Sequence, residues 1–370
     1  MTNNSNKTCK ELFFLRGLAC LSIVFLHSIG SGLASINVGR STELFFDSVQ
    51  VFLYFATPLF IFISMFILAY SYRSRPISKS FLRKRTQFIF LPFLFFAFFY
   101  SIPYASSIEA WGLKLFLNAM IGDYHGYFVL IIFQFFFLYL LLNRHLAKWN
   151  PSVVLATSFI INAAYLAFFN FSTPLNVPHA MYIWERFYWV PLFGWVFYFV
   201  LGYYCGYYYE TFVKLLKKWR ILVMTAPIVS TTLLLFLYHS EWLAVHSSKR
   251  VDMIFHTVAI GFFLFYMAHQ VKTLPAFLVF ISQYSFGIYL LHMFYISIID
   301  LLYGFYPVDL GVSYLLILFL FSTTCSILTI YYMKRWKWSA YLLGKIGINY
   351  EQESTRKAPK HVPPVTSEAR

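Results

Sequence analysis

Apolar runs of similar length, separated by short polar links, pattern this chain from one end to the other. Ten runs reach the length of about 20 residues that a helix needs to cross a bilayer. They fall at 12–34, 44–70, 88–106, 124–142, 152–171, 188–209, 221–239, 252–270, 276–302 and 312–333. The pattern predicts an all-α fold, a polytopic membrane helical bundle of about ten transmembrane helices. Pro58, Pro92 and Pro191 lie inside predicted spans, where neighbouring helices satisfy freed carbonyls and kinks open cavities. No internal repeat points to a transporter built from inverted halves.

The links sharpen this into a topology. With residues 1–11 placed in the cytoplasm, the links on that side, together with the two ends, carry 23 of the 29 Lys and Arg. The opposite links carry Arg40, Lys114, Arg186, Lys249 and Arg250. Basic residues concentrate on the cytoplasmic side of membrane proteins, so N-in and C-in is expected. The division is then a cytoplasmic N-terminus (1–11), a transmembrane domain (12–335) and a cytoplasmic tail (336–370) whose proline-containing polar end predicts disorder.

Composition agrees: 60% of residues are hydrophobic and 12% charged, half the charged share of a soluble domain. The first run is too long for a secretory leader, and many similar runs follow it. The net charge of +15 sits in the links, which argues for membrane topology and against nucleic acid. Cys9, Cys20, Cys205 and Cys325 lack metal or redox spacing, so no metal is expected.

Against this background Arg16 and His27 stand out. Eleven residues apart on a helix, they fall within about 20° of one face and about 16 Å apart along the axis. Charged and titratable groups inside a span cost several kcal/mol unless they face a cavity or a partner. A snorkelling arginine and a hydrogen-bonded histidine are the structural alternatives. An imidazole deep in a span suits a general base, because it titrates near neutrality. Arg83 and Arg85 belong to a basic run before the third span; topology signalling accounts for most of that charge, with phosphate binding overlaid. Ser285, Tyr289 and His292 share a helical face, as interhelical glue or as a site. Asp123 and His125 sit at the outer mouth of the fourth span as candidate sugar contacts, and Glu185 and Arg186 have the same standing.

Several of these pieces together resemble a known family. Arg16-Gly-Leu-Ala-Cys-Leu-Ser-Ile-Val-Phe-Leu-His27 resembles the R-x10-H signature of the integral-membrane acyltransferase-3 family. Phe62-Ile-Ser64, Phe81-Leu-Arg83-Lys84-Arg85 before Pro92, His125-Gly-Tyr127-Phe128 and Ser285-Phe-Gly-Ile-Tyr289-Leu-Leu-His292 follow in the family's order. Met65 and Tyr127 depart from its usual Gly and Trp. Thr57-Pro58, Gln134-Phe-Phe and Phe193-Gly-Trp-Val-Phe-Tyr-Phe-Val-Leu-Gly202 look closest to the poly-N-acetylglucosamine intercellular-adhesion C protein branch, whose members have been labelled exporters as well as acyl-modifying enzymes.

The resemblance implies a bacterial plasma-membrane O-acyltransferase that moves an acetyl or similar short acyl group from cytoplasmic acyl-CoA, acetyl-CoA foremost, to an envelope polysaccharide or sugar. No cofactor is expected to stay bound. Arg16 would orient the donor and His27 would take the acceptor's proton, directly or through an acyl-histidine. Arg83 and Arg85 would hold donor phosphates, and Asp123, His125, Ser285, Tyr289 and His292 would contact substrate. Its partners would be acyl-CoA, the glycan and the lipid bilayer, with room for a homo-oligomer or for glycan-synthesis proteins. The rival expectation is a polysaccharide exporter or flippase.

Overall fold

The computed structural model describes residues 9–345. The predicted disordered end of the tail and most of the predicted N-terminal segment lie outside the described residues. The helices are α1 (Lys10–Ser35), α2 (Arg40–Leu53), α3 (Ala56–Tyr72), α4 (Phe81–Arg85), α5 (Leu91–Phe99), α6 (Ile108–Ile121), α7 (Phe128–Leu146) and α8 (Pro151–Phe171). They continue as α9 (Ala180–Trp189), α10 (Val196–Tyr207), α11 (Tyr209–Lys218), α12 (Arg220–His239), α13 (Met253–Gln270), α14 (Ala276–Phe305), α15 (Ser313–Met333) and α16 (Ser339–Leu343). There is no strand among the described residues. Nine helical stretches among them are long and apolar enough to cross a membrane, and the chain is a multi-pass membrane protein.

Burial divides the bundle into a hub and a rim. The apolar window of α1 is 61% buried and that of α12 only 11%. Since both are equally apolar, α1 packs against protein and α12 presents its side chains to lipid. α1 runs along α14 and also touches α2, α3, α13 and α15. That close approach needs a small residue: a Cβ at Gly17 would lie 2.6 Å from the Leu278 carbonyl oxygen. Gly202 has the same role where α10 crosses α3 beside the Phe62 carbonyl.

The predicted span at 188–209 is not one helix. Pro191 has no N–H to donate, and the chain leaves α-geometry between Trp189 and Val196. Two amides from neighbouring helices take up the freed groups. Gln134 donates to the Val190 carbonyl (2.8 Å) and accepts from the Leu192 N–H (3.0 Å). Asn162, fully buried, donates to the Gly194 carbonyl (2.9 Å) and accepts from the Phe197 N–H (3.1 Å). A broken helix survives at membrane depth only when its backbone is satisfied in this way. Pro92 has a milder effect: the turn before it, Thr86–Phe90, widens into a π-helix that accommodates the ring. The second predicted span breaks at Tyr54–Phe55, so Pro58 falls in the first turn of α3, where its missing N–H costs nothing.

Candidate active site

A cavity of about 1130 Å³ runs through the bundle beside α1. Arg16 and His27 both line it, as their spacing on one helical face requires. At the face where α1 begins, here the N-terminal face, the cavity is lined by Lys84, Arg85 and Lys345. At the far face it is lined by Asp123, Arg186 and Lys249. Between them the wall is largely apolar, with Ile23, Phe60, Ile63 and Ile132 among the lining residues.

The α1–α14 contact fixes Arg16. Its Nε donates to Ser285 Oγ at 2.6 Å, and that hydroxyl in turn donates to the Ser282 carbonyl at 2.9 Å. Arg16 also lines the cavity. Three helical turns further along, His27 meets two other imidazoles: its ring centroid lies 5.3 Å from that of His292, which lies 5.5 Å from that of His125. His292 is fully buried, and its Nδ1 is 3.1 Å from the Ile288 carbonyl, so Nδ1 carries the proton. Nε2 of His292 and of His125 has no hydrogen-bond partner among the described residues. Tyr289 donates to the His125 carbonyl and holds the Asp123–Phe128 stretch against α14. No protein group among the described residues hydrogen-bonds the His27 ring, which leaves it open to a ligand in the cavity. No cluster of His, Cys, Asp or Glu among the described residues is arranged to hold a metal ion.

The far end is a seam of paired charges. Asp123 accepts from Lys114 (2.7 Å) and lies 3.4 Å from Arg186, whose guanidinium also reaches the Gly122 carbonyl. Arg250, completely buried, grips Asp252 with two hydrogen bonds of 2.9 and 2.7 Å and donates to the carbonyls of Leu243, Val245 and Leu234. This fork anchors the 240–252 link and fixes the position of Lys249. A second polar chain meets the cavity through His246 and Tyr54. Asp47 is 3.0 Å from His246 Nε2, so Nδ1 is the acceptor and Tyr54 donates to it at 2.9 Å. Burial lowers the His246 pKa, although Asp47 opposes the shift.

Of the residues singled out in the sequence, Arg16, His27, Arg85, Asp123, His125, Ser285 and Tyr289 line this one cavity. His292 stands behind it, against two of those rings. Arg83 does not line it: its side chain is exposed on the outside of α4, and Lys84 takes the cavity side beside Arg85. Sequence reasoning counted Lys249 only as a topology marker and passed over Lys345, Tyr54 and His246. Nothing local marks Lys249 as buried. The nearest signal is the pairing of Arg250 with Asp252 two residues on, which makes a link of fixed shape.

A family model described as an acyltransferase domain matches residues 10–331. The protein named "Putative membrane-bound acyltransferase YfiQ" from Bacillus subtilis (strain 168) is 36% identical over 91% of this chain and 94% of its own length. Two staphylococcal proteins are more distant, each named "Probable poly-beta-1,6-N-acetyl-D-glucosamine export protein". That of Staphylococcus aureus (strain MSSA476) is 26% identical over 76% of this chain and 81% of its own. That of Staphylococcus epidermidis is 28% identical over 76% and 79%. No solved structure matches the chain.

Proposed function

The chain belongs to the membrane-bound acyltransferase-3 family and is an acyltransferase, and from that premise we propose that it moves a short acyl group from cytoplasmic acyl-CoA to a hydroxyl of an envelope glycan. The observation that carries this reading is a single cavity lined by both Arg16 and His27, with cations at its N-terminal end. The 23-to-5 distribution of basic residues supports a cytoplasmic N-terminal face. The donor's phosphates then rest at Lys84, Arg85 and Lys345, and its thioester arm lies along the apolar wall towards His27.

The chemistry follows from the positions. The acceptor hydroxyl enters from the far face and gives its proton to the unpartnered His27 ring as its oxygen attacks the thioester carbonyl. The carbon–sulfur bond then breaks, and the CoA thiolate takes the proton from His27. The guanidinium of Arg16, held by Ser285, stabilises negative charge in the donor within a low-dielectric cavity. His292 orients His27 by ring contact. Transfer through an acyl-histidine uses the same groups in two steps.

Purified protein in nanodiscs, given acetyl-CoA and amino-sugar oligomers, should release free CoA, and His27→Ala should not. The second reading is glycan export, favoured by the names of the staphylococcal relatives and by a cavity that reaches both ends of the bundle. Against it, apart from Arg16, His27 and a few neutral polar groups, the wall in the middle of the cavity is largely apolar. The carboxylates near span ends are also already engaged: Asp47 with Tyr238 and His246, Asp252 with Arg250, Asp300 with Ser35 and Tyr314. Export predicts oligomer crossing the bilayer without acyl-CoA and without CoA release.

A further inference from the structure

We propose that the far end of the cavity is an anion site, built on Lys249 and Arg186, that receives a phosphate or carboxylate group carried by the acceptor glycan. The acceptor's identity rests on the acyl-transfer reading above, whereas the anion site rests on the geometry.

Lys249 is 4% exposed, yet its side chain borders the cavity. Its ammonium has no hydrogen-bond or ion-pair partner among the described residues. It has rings instead: Nζ lies 4.1 Å from the centre of Trp189 and 5.4 Å from that of Tyr127. Ring faces replace only part of the hydration a buried ammonium gives up. The backbone that carries this amine is pinned. The Lys249 carbonyl accepts from Tyr188 (2.7 Å) and Asn170 (3.2 Å), and the Arg250–Asp252 fork follows directly.

Arg186 supplies a second cation on the same cavity wall. Its other nitrogens reach Gly122, Asp123 and Glu185, but its buried Nε has no partner. Asp123, for its part, is already shared between Arg186 and Lys114. Asp123 is therefore engaged and Glu185 lies 3.9 Å from Arg186, while cationic donors remain over. Ser247 and Ser248 line the cavity beside Lys249 and can add hydroxyl donors. Two cations with spare N–H groups and adjacent hydroxyls suit an oxyanion and give a neutral sugar no counterpart for their charge.

Protonation supports the same conclusion. Burial, with Arg186 alongside, pushes the Lys249 pKa down to about 7, against the opposing pull of Glu185. A bound anion restores the charged form, so binding takes up a proton above neutrality. Affinity should then be level below about pH 7 and fall towards about tenfold per unit above it. The other titratable groups against this amine are Tyr188 on α9 and Tyr127 just before α7, with Asp123 on the same cavity wall. On its own link, His246 lines the same cavity and Arg250 is paired with Asp252. His246, with its pKa lowered by burial, is neutral across the falling limb.

The test is calorimetric titration of the full-length protein in nanodiscs, without acyl-CoA. The probes are three tetrasaccharides of one backbone: phosphorylated, uronate-bearing and neutral. The anionic pair should bind about tenfold or more tighter than the neutral one near neutrality, and the preference should shrink as pH rises. Lys249→Met should erase the preference. Lys249→Arg should keep it and flatten its pH dependence, and this variant carries the test alone if the methionine variant does not fold. Equal affinities in the wild type, or a preference that survives Lys249→Met, overturn the proposal. Displacement of the anionic probes by free CoA also overturns it, since the site would then hold donor phosphates. A preference seen without CoA release from any acceptor leaves the anion site and removes the catalytic reading. CoA release onto neutral acceptors with no such preference does the reverse.

Discussion

At the N-terminal face the cavity meets Lys84, Arg85 and Lys345 with no carboxylate lining it there among the described residues, whereas at the far face Asp123 and Arg186 lie 3.4 Å apart and Lys249 is enclosed by rings. The first end has cations free of carboxylate partners, Lys84 and Lys345 exposed and Arg85 laid over the Phe81 and Phe136 rings, that a ligand with several negative charges can gather. The second has charges held in place by Lys114, the Arg250–Asp252 fork and the broken segment before α10. One end suits a highly charged ligand whose shape matters little there; the other suits a ligand chosen by the placement of its groups. The histidines and Arg16 lie between the two, where donor and acceptor would have to meet.

The comparison breaks first at the centre. His27→Ala should reduce acyl transfer by about 10²- to 10⁴-fold while the protein still inserts and purifies normally. CoA release within tenfold of wild type would place the base elsewhere. Arg16→Lys keeps the charge but loses the planar guanidinium and the Nε–H that donates to Ser285. It should lower kcat/KM for the donor by about 10- to 100-fold. An unchanged donor dependence, measured at saturating acceptor, would remove Arg16 from the donor side.

The far end is sharpened by Asn162→Leu, which leaves the Gly194 carbonyl and the Phe197 N–H buried without partners. This should cost about 1–3 kcal/mol of stability, read as a lower thermal midpoint in nanodiscs. Because the broken segment follows α9, which carries Arg186 and Trp189, acceptor KM should rise more than donor KM. The smallest effect is expected at the N-terminal end. Lys84→Gln with Arg85→Gln should raise KM for acyl-CoA by about three- to tenfold and leave acceptor KM alone. Arg83→Gln, on the exposed side of the same helix, should change it by less than about twofold. If Arg83 matters as much as its neighbours, charge density rather than placement governs that end.

Much of the fold was legible because bilayer thickness sets a length that any span must meet, and the apolar runs meet it. The failures fall where that rule is silent. The run at 188–209 has the length of a span, but Pro191 breaks it, and only Gln134 and Asn162 on other helices make the break tolerable. Within the site, Arg16 and His27 were legible because helical geometry alone puts residues eleven apart on one face. Arg85 was named along with Arg83, because a basic run does not reveal which of its members turns inward.

By itself, then, the sequence determined the helical membrane class, the basic bias of one set of links and the Arg16–His27 stripe. All three follow from local periodicity, length and composition. Only tertiary structure decided that His27, His125 and His292 share one cluster, that Ser285 holds Arg16, and that Lys249 is buried against Trp189. Those contacts join residues separated by 60 to 269 positions. Nothing in a local pattern encodes such meetings; they arise when helices pack, since small residues such as Gly17 set how close two helices come and therefore which side chains meet.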